Sequence, residues 1–361
     1  MRLWRNQLPW HDKLLWAPLA PASAIYGAAM ALRGGYWKLA ARRAAVFTVA
    51  VGNLTVGGNG KTPFSLFLAS GLIERGLKTA IVSRGYGAVR QSGDALVVAD
   101  GGSILLGPDE AGDEPVMMAK SFHGPIAIAR RRIDAINLLL DRGPLDAVVL
   151  DDAFQHIRLK RDLDLLLVNA QRGLGNGWTL PAGPMREGFG ALARANGVVL
   201  MITEAGRAAA GVSKITAASG ERLLPAMLSP RAWVRPEGDS WSTIPLDTLR
   251  GKRAVAVAGL ANGRQFFTML RELGIEVTSE IEFPDHHRYS GSDSERIGAS
   301  TRAGEIIVTT EKDLVKLERF PKLRDSLYAL RLTILMDEAD QARLFTMIDR
   351  SRALRRPSSP A

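Results

Sequence analysis

The stretch that most constrains the fold is Val46 to Pro63, VFTVAVGNLTVGGNGKTP: an apolar run, a glycine-rich turn, then Lys61-Thr62 opening a helical pattern. That order predicts a buried strand, a phosphate-binding loop and a helix. Glycines let successive backbone N–H groups close around phosphate oxygens, and the following helix aims its positive end at the same anion. Thr55, Val56, Gly57, Gly58, Asn59 and Gly60 are then the candidate cradle for ATP. Lys61 would reach the β- and γ-phosphates and the Thr62 hydroxyl would ligate Mg²⁺. The template G-x-x-x-x-G-K-[ST] is broken at one position, where Thr55 replaces the first glycine. The competing reading is a glycine-rich strand-to-helix turn that carries GKT by chance.

Beyond the loop, strand-like runs at 79–83, 125–129, 145–150, 163–168 and 198–203 alternate with helical segments at 63–76 and 130–141, and a polar turn, 107–114, starts a further helix through Lys120. Such alternation predicts an α/β fold of the P-loop NTPase type, a doubly wound and mostly parallel sheet with ligands beyond the carboxyl ends of its strands. The strand DAVVLDD ends in Asp151-Asp152, where a Walker B carboxylate would hold Mg²⁺; turn aspartates are the alternative. Asp113 and Glu114 fall in the first turn of a predicted helix, where carboxylates suit the dipole. A long glycine- and proline-rich loop, 173–187, ends in Arg186-Glu187. Arg186 is a candidate for stabilising transferring phosphoryl charge, or else half of a surface ion pair.

The expected organisation is an N-terminal helical segment (1–45), a P-loop core (46–205), a connecting segment (206–250), a second, smaller α/β domain (251–345) and a basic, disordered tail (346–361). In the second domain Asp285-His286-His287 holds two of the five histidines, a pattern suited to proton transfer or to orienting a carboxylate. A net charge of +10 points to an anionic partner without choosing among nucleic acid, phosphorylated substrate and membrane. The absence of cysteine excludes thiolate chemistry and disulfides. Leu14 to Leu32 is uncharged but broken by Pro18 and Pro21, and Arg33, Tyr36, Trp37, Lys38, Arg42 and Arg43 follow it. That make-up fits a helix lying in a membrane surface, or equally one packed on its own domain.

Seven blocks, GNLTVGGNGKTP (52–63), SRGYG (83–87), GDEP (112–115), DDAFQH (151–156), GNGWTLPAGPMRE (175–187), FPDHHRY (283–289) and TTEKD (309–313), together resemble the tetraacyldisaccharide 4′-kinase family, in family order. That family's loop also lacks the first glycine. Ala153 departs from it, where glycine is usual. The resemblance implies transfer of the ATP γ-phosphate, with Mg²⁺, to an acylated disaccharide phosphate lipid. It implies a peripheral or N-terminally anchored protein at the cytoplasmic face of a Gram-negative inner membrane, with neither nucleic acid nor an obligate protein partner. By the same resemblance Asp113 is the base and His286 pairs with it. Arg186 is carried over as a supporting residue, and so are Glu114 and Glu187, toward the metal. His286 is far from Asp113 in sequence, so the second domain is expected to close on the first.

Two other readings remain at this level: a P-loop hydrolase acting as a switch or metallochaperone, and a nucleic-acid-binding ATPase drawn only from the charge. The first leaves the N-terminal apolar stretch unexplained. The second lacks an aromatic and basic stacking platform.

Overall fold

A computed structural model describes residues 18–58, 60–87, 94–202, 209, 211–238, 240–260 and 263–355. Asn59 of the loop, Thr203 of a predicted strand and the first part of the uncharged N-terminal stretch lie outside the described residues. The chain divides into two compact units: Met1–Arg84, Arg131–Leu228 and Ile334–Ala361 form one, Gly85–Arg130 and Ser229–Thr333 the other. This corrects the expected boundaries. The segment carrying Asp113 belongs with the second unit, where its helix Asp113–Ala119 packs on Glu311–Leu317; its strand Leu96–Asp100 pairs antiparallel with Pro125–Ile128.

In the first unit the strand Phe47–Asn53 lies between Ala147–Leu150 and Leu163–Asn169. Thr79–Ser83 flanks the former strand; Gly197–Ile202, then the first residues of Leu223–Glu237, flank the latter, all parallel. Every residue of Phe47–Asn53 is buried, which is why it reads as an unbroken apolar run instead of alternating. The order reverses at this strand, so its carboxyl end opens the crevice in which doubly wound sheets bind ligands.

In the second unit Glu276–Glu282, Arg253–Ala258, Ile306–Thr310 and Leu327–Leu335 form a parallel sheet. Val255, Val257, Ile307, Leu314 and Leu327 pack one core, and Trp233, Phe267 and Leu270 another. Residues 206–250 are not merely a connection: they include the helix Val212–Ser219 and the fifteen-residue strand Leu223–Glu237, paired at its end with Ser240–Ile244. Prolines at 225, 230 and 236 hid that strand.

The tail is corrected too. The helix Glu338–Ala353 runs into it, Arg355 Nη1 donates to Asp162 Oδ2 at 2.7 Å, and residues 356–361 lie outside the described residues. Phe345 sits on Gly71, where a Cβ would come within 2.5 Å of its ring. The Asp162 carboxylate, 2% exposed, also takes Arg43 at 2.8 Å and the Thr48 amide at 2.9 Å. Removing a buried partner of this kind leaves cations uncompensated. Asp162→Ala should therefore cost about 3 kcal/mol, read as a lowered urea midpoint.

Candidate active site

In the first unit the helix Lys61–Glu74 begins at Gly60, which holds a left-handed φ of 72°, and Gly57 is left-handed as well. Arg186 N donates to Leu54 O at 2.7 Å and Val56 N to Pro184 O at 2.9 Å, so the 173–187 loop is pinned along the phosphate loop. That pinning brings Arg186 Nη1 within 3.1 and 3.2 Å of the two Asp152 oxygens, while Lys61 Nζ lies 3.7 Å from Asp152 Oδ1. Burial alone would raise the Asp152 pKa, but the Lys61 and Arg186 cations outweigh it and hold the carboxyl below its ordinary range. Asp151 is buried and accepts the Ser65 hydroxyl at 2.7 Å. Sequence reading missed Ser65, although its spacing from Lys61 puts it one helical turn along the same face.

Asp152 carries a left-handed φ of 45° and His286 one of 57°; they are the non-glycine residues so strained among those described, and both lie in candidate site motifs. Ala153 is not left-handed, so the family's glycine is dispensable there. The close approach belongs to Gly52, whose absent Cβ would meet Phe154 Cβ at 2.5 Å. His156 is held neutral, its pKa pushed to about 3 by burial and then by Arg132 and neighbouring arginines.

Thr62 stands in the first turn of the loop helix, half-buried. Its hydroxyl and the Asp151 and Asp152 carboxylates are oxygen donors of the kind Mg²⁺ takes together with nucleotide phosphates. Glu187 does not join them, since Arg194 grips it through two nitrogens at 2.7 and 3.1 Å. Glu114 lies on the second unit, 3.8 Å from Lys312. Among the described residues no three acidic or histidine side chains gather into a metal cluster.

In the second unit Asp113 opens the helix Asp113–Ala119, which packs on Glu311–Leu317. His286 Nδ1 lies 3.3 Å from both Asp113 oxygens, and Lys316 Nζ lies 3.3 Å from Oδ2. The expected domain closure is thus not what joins this pair: both residues belong to one unit. Burial would raise the Asp113 pKa, but the His286 hydrogen bond and the Lys312 and Lys316 cations overcome it and take it to about 2. The hydrogen bond to Asp113 raises the His286 pKa against burial and Lys312. Lys312 Nζ reaches Asp285 Oδ1 at 2.8 Å and His286 Nε2 at 3.2 Å.

Asp313, fully buried, accepts from Gly259 N at 2.8 Å and ion-pairs with Lys316 at 3.1 Å, which fixes that lysine's origin. The two lysines were missed as site residues, although TTEKDLVK sets them four apart on one helix face. Gly87, Pro108, His286, Arg288 and Lys316 line a small pocket at Asp113.

The model of the family described as tetraacyldisaccharide-1-P 4′-kinase matches residues 15–351. A tetraacyldisaccharide 4′-kinase of Anaeromyxobacter sp. strain Fw109-5 is 39% identical over 323 residues, 87% of this chain and 86% of the relative. The enzyme of that name from Geobacter sulfurreducens is 40% identical over 310 residues, 84% of this chain and 85% of its own. The crystal structure of the "apo" form of LpxK from Aquifex aeolicus in complex with ATP superposes with a TM-score of 0.76 at 30% identity, covering 93% of this chain and 99% of that one. With a match from the N-terminal segment to the last helix, this chain belongs to the tetraacyldisaccharide 4′-kinase family.

Proposed function

We infer that the chain is an ATP-dependent kinase that moves the γ-phosphate onto the 4′-hydroxyl of a tetraacylated disaccharide 1-phosphate, a step of lipid A biosynthesis that forms lipid IVA. The observation that carries the reading is the GKT loop with Lys61 and Arg186 converging on Asp152 in a chain of this family. A switch-type hydrolase leaves the Asp113–His286 pair and its cationic pocket without a task.

In this mechanism the loop amides and Lys61 hold the β- and γ-phosphates, and Arg186 faces the charge that spreads over the transferring group. Thr62 with Asp151 or Asp152 would hold Mg²⁺, which would supply positive charge to the nucleotide phosphates. Asp113, with a pKa of about 2, is ionised at any working pH and is a weak base. It orients the sugar hydroxyl and takes its proton late, as the O–P bond forms, which suits a reaction governed by positioning and electrostatics. His286 holds the Asp113 carboxylate in place, and Arg288 and Lys316 at the pocket suit an anionic lipid head.

The setting we propose is the cytoplasmic face of the inner membrane. No helix among the described residues is long and apolar enough to cross a bilayer. The helix Leu19–Ala40 instead exposes Ile25, Leu32, Tyr36 and Leu39, the last 93% exposed, with Lys38, Arg42 and Arg43 near its end. Such a face enters an anionic lipid surface with its leucines buried and its cations at the headgroups.

Label from γ-labelled ATP should appear on tetraacyldisaccharide 1-phosphate in micelles, and Lys61→Ala should lower that transfer at least about 100-fold. Release of label only as free phosphate would sink the reading. Asp113→Ala should reduce kcat about 100-fold or more while the KM for ATP stays within about twofold. Replacing Leu32 and Leu39 by Asp should weaken co-sedimentation with vesicles containing anionic lipid about tenfold or more.

A further inference from the structure

The helix Leu19–Ala40 has a second face. The residues withdrawn from solvent between 23 and 37 are Ser23, Tyr26, Gly27, Met30, Arg33, Gly34 and Trp37, a three-four spacing that forms one stripe opposite Ile25, Leu32 and Leu39. The inner stripe is polar where it meets the protein. Ser23 is 1% exposed, and its hydroxyl donates to Thr179 O at 2.7 Å while the Thr179 hydroxyl donates back to Ser23 O at 2.9 Å. The Tyr26 hydroxyl donates to Arg186 O at 3.0 Å, and Arg33 donates to Gln155 O at 3.1 Å. The Gln155 amide in turn donates to Asn53 O, where the phosphate loop begins, at 2.8 Å.

A helix needed only for lipid contact has no reason to bury a serine and to spend a tyrosine hydroxyl on this loop. Both ends of the catalytic loop segment, Thr179 and Arg186, are held by it, and that segment is what aims Arg186 at Asp152. We propose that Ser23 and Tyr26 are positioning residues for Arg186. In this arrangement the N-terminal helix is part of the scaffold of the phosphoryl-transfer site as well as the lipid-facing element. The proposal rests on the reading of Arg186 as a stabiliser of phosphoryl charge. Displacing such a group by about 1 Å is enough to cost on the order of 100-fold in rate.

The test uses the full chain with γ-labelled ATP and tetraacyldisaccharide 1-phosphate in nonionic micelles, so that docking to a bilayer plays no part. The double variant Ser23→Ala/Tyr26→Phe should lose about tenfold in kcat with the KM for ATP within about twofold, and Ser23→Thr, which keeps the hydroxyl, should retain turnover. In an Arg186→Ala background the same double variant should lose less than about twofold more, because residues acting through one group are not additive. Wild-type kcat in the double variant overturns the proposal. So does an undiminished tenfold loss in the Arg186→Ala background, the result expected of mere destabilisation. A wild-type protein that puts no label on the lipid overturns the proposed reaction itself and this inference with it.

Discussion

The first unit turns on one carboxylate. Asp152, raised on a left-handed turn at the end of its strand, holds both Lys61 Nζ, at 3.7 Å, and Arg186 Nη1, at 3.1 Å, on its Oδ1. Two cations this close would repel and swing apart without it. In the proposed reaction a triphosphate would meet donors already in position, and fixed charge costs no reorganisation. Much else follows from placing that turn: Gly52 yields space to Phe154, Ser65 ties down Asp151, and the 173–187 loop lies along the phosphate loop to present Arg186.

The second unit solves a similar problem with opposite emphasis. Asp113 is almost wholly buried, and its charge is met by His286 and Lys316, while Lys312 links His286 to Asp285. Lys316 is itself fixed by Asp313. The strongly lowered pKa of Asp113 is the outcome, and in the proposed reaction it would make the residue a rigid director of a hydroxyl more than a strong acceptor of its proton.

What was legible in the sequence follows from how local the signal is. Buried parallel strands are contiguous apolar runs, so Thr79–Ser83 and Leu163–Asn169 were readable almost to the residue. The Gly60-Lys61-Thr62 signal needs only one strand and one helix. The partition of the chain was not legible, because residues 85–130 look like another strand-helix pair until their helix Asp113–Ala119 is seen to pack on Glu311–Leu317, far along the chain. The polar turn before the helix Asp113–Ala119 was legible too, and its close approach is at Gly112, whose left-handed φ and lack of a Cβ let the Tyr86 carbonyl pass 2.4 Å from where that atom would sit. Lys312 and Lys316 were in plain view within TTEKDLVK. Their partners lie some 200 residues away, and no local pattern reports that.

The division of the chain bears on how the protein is made. It passes between the two units four times, and the closing helix brings Phe345 to Gly71 and Arg355 to Asp162. On the ribosome, the strand Phe47–Asn53 and the helix after it emerge well before Phe345 and Arg355, which complete the packing of their unit. A nascent chain must carry an unfinished, partly uncovered sheet until that later stretch emerges, and chaperones that shelter exposed apolar surface can act during that interval.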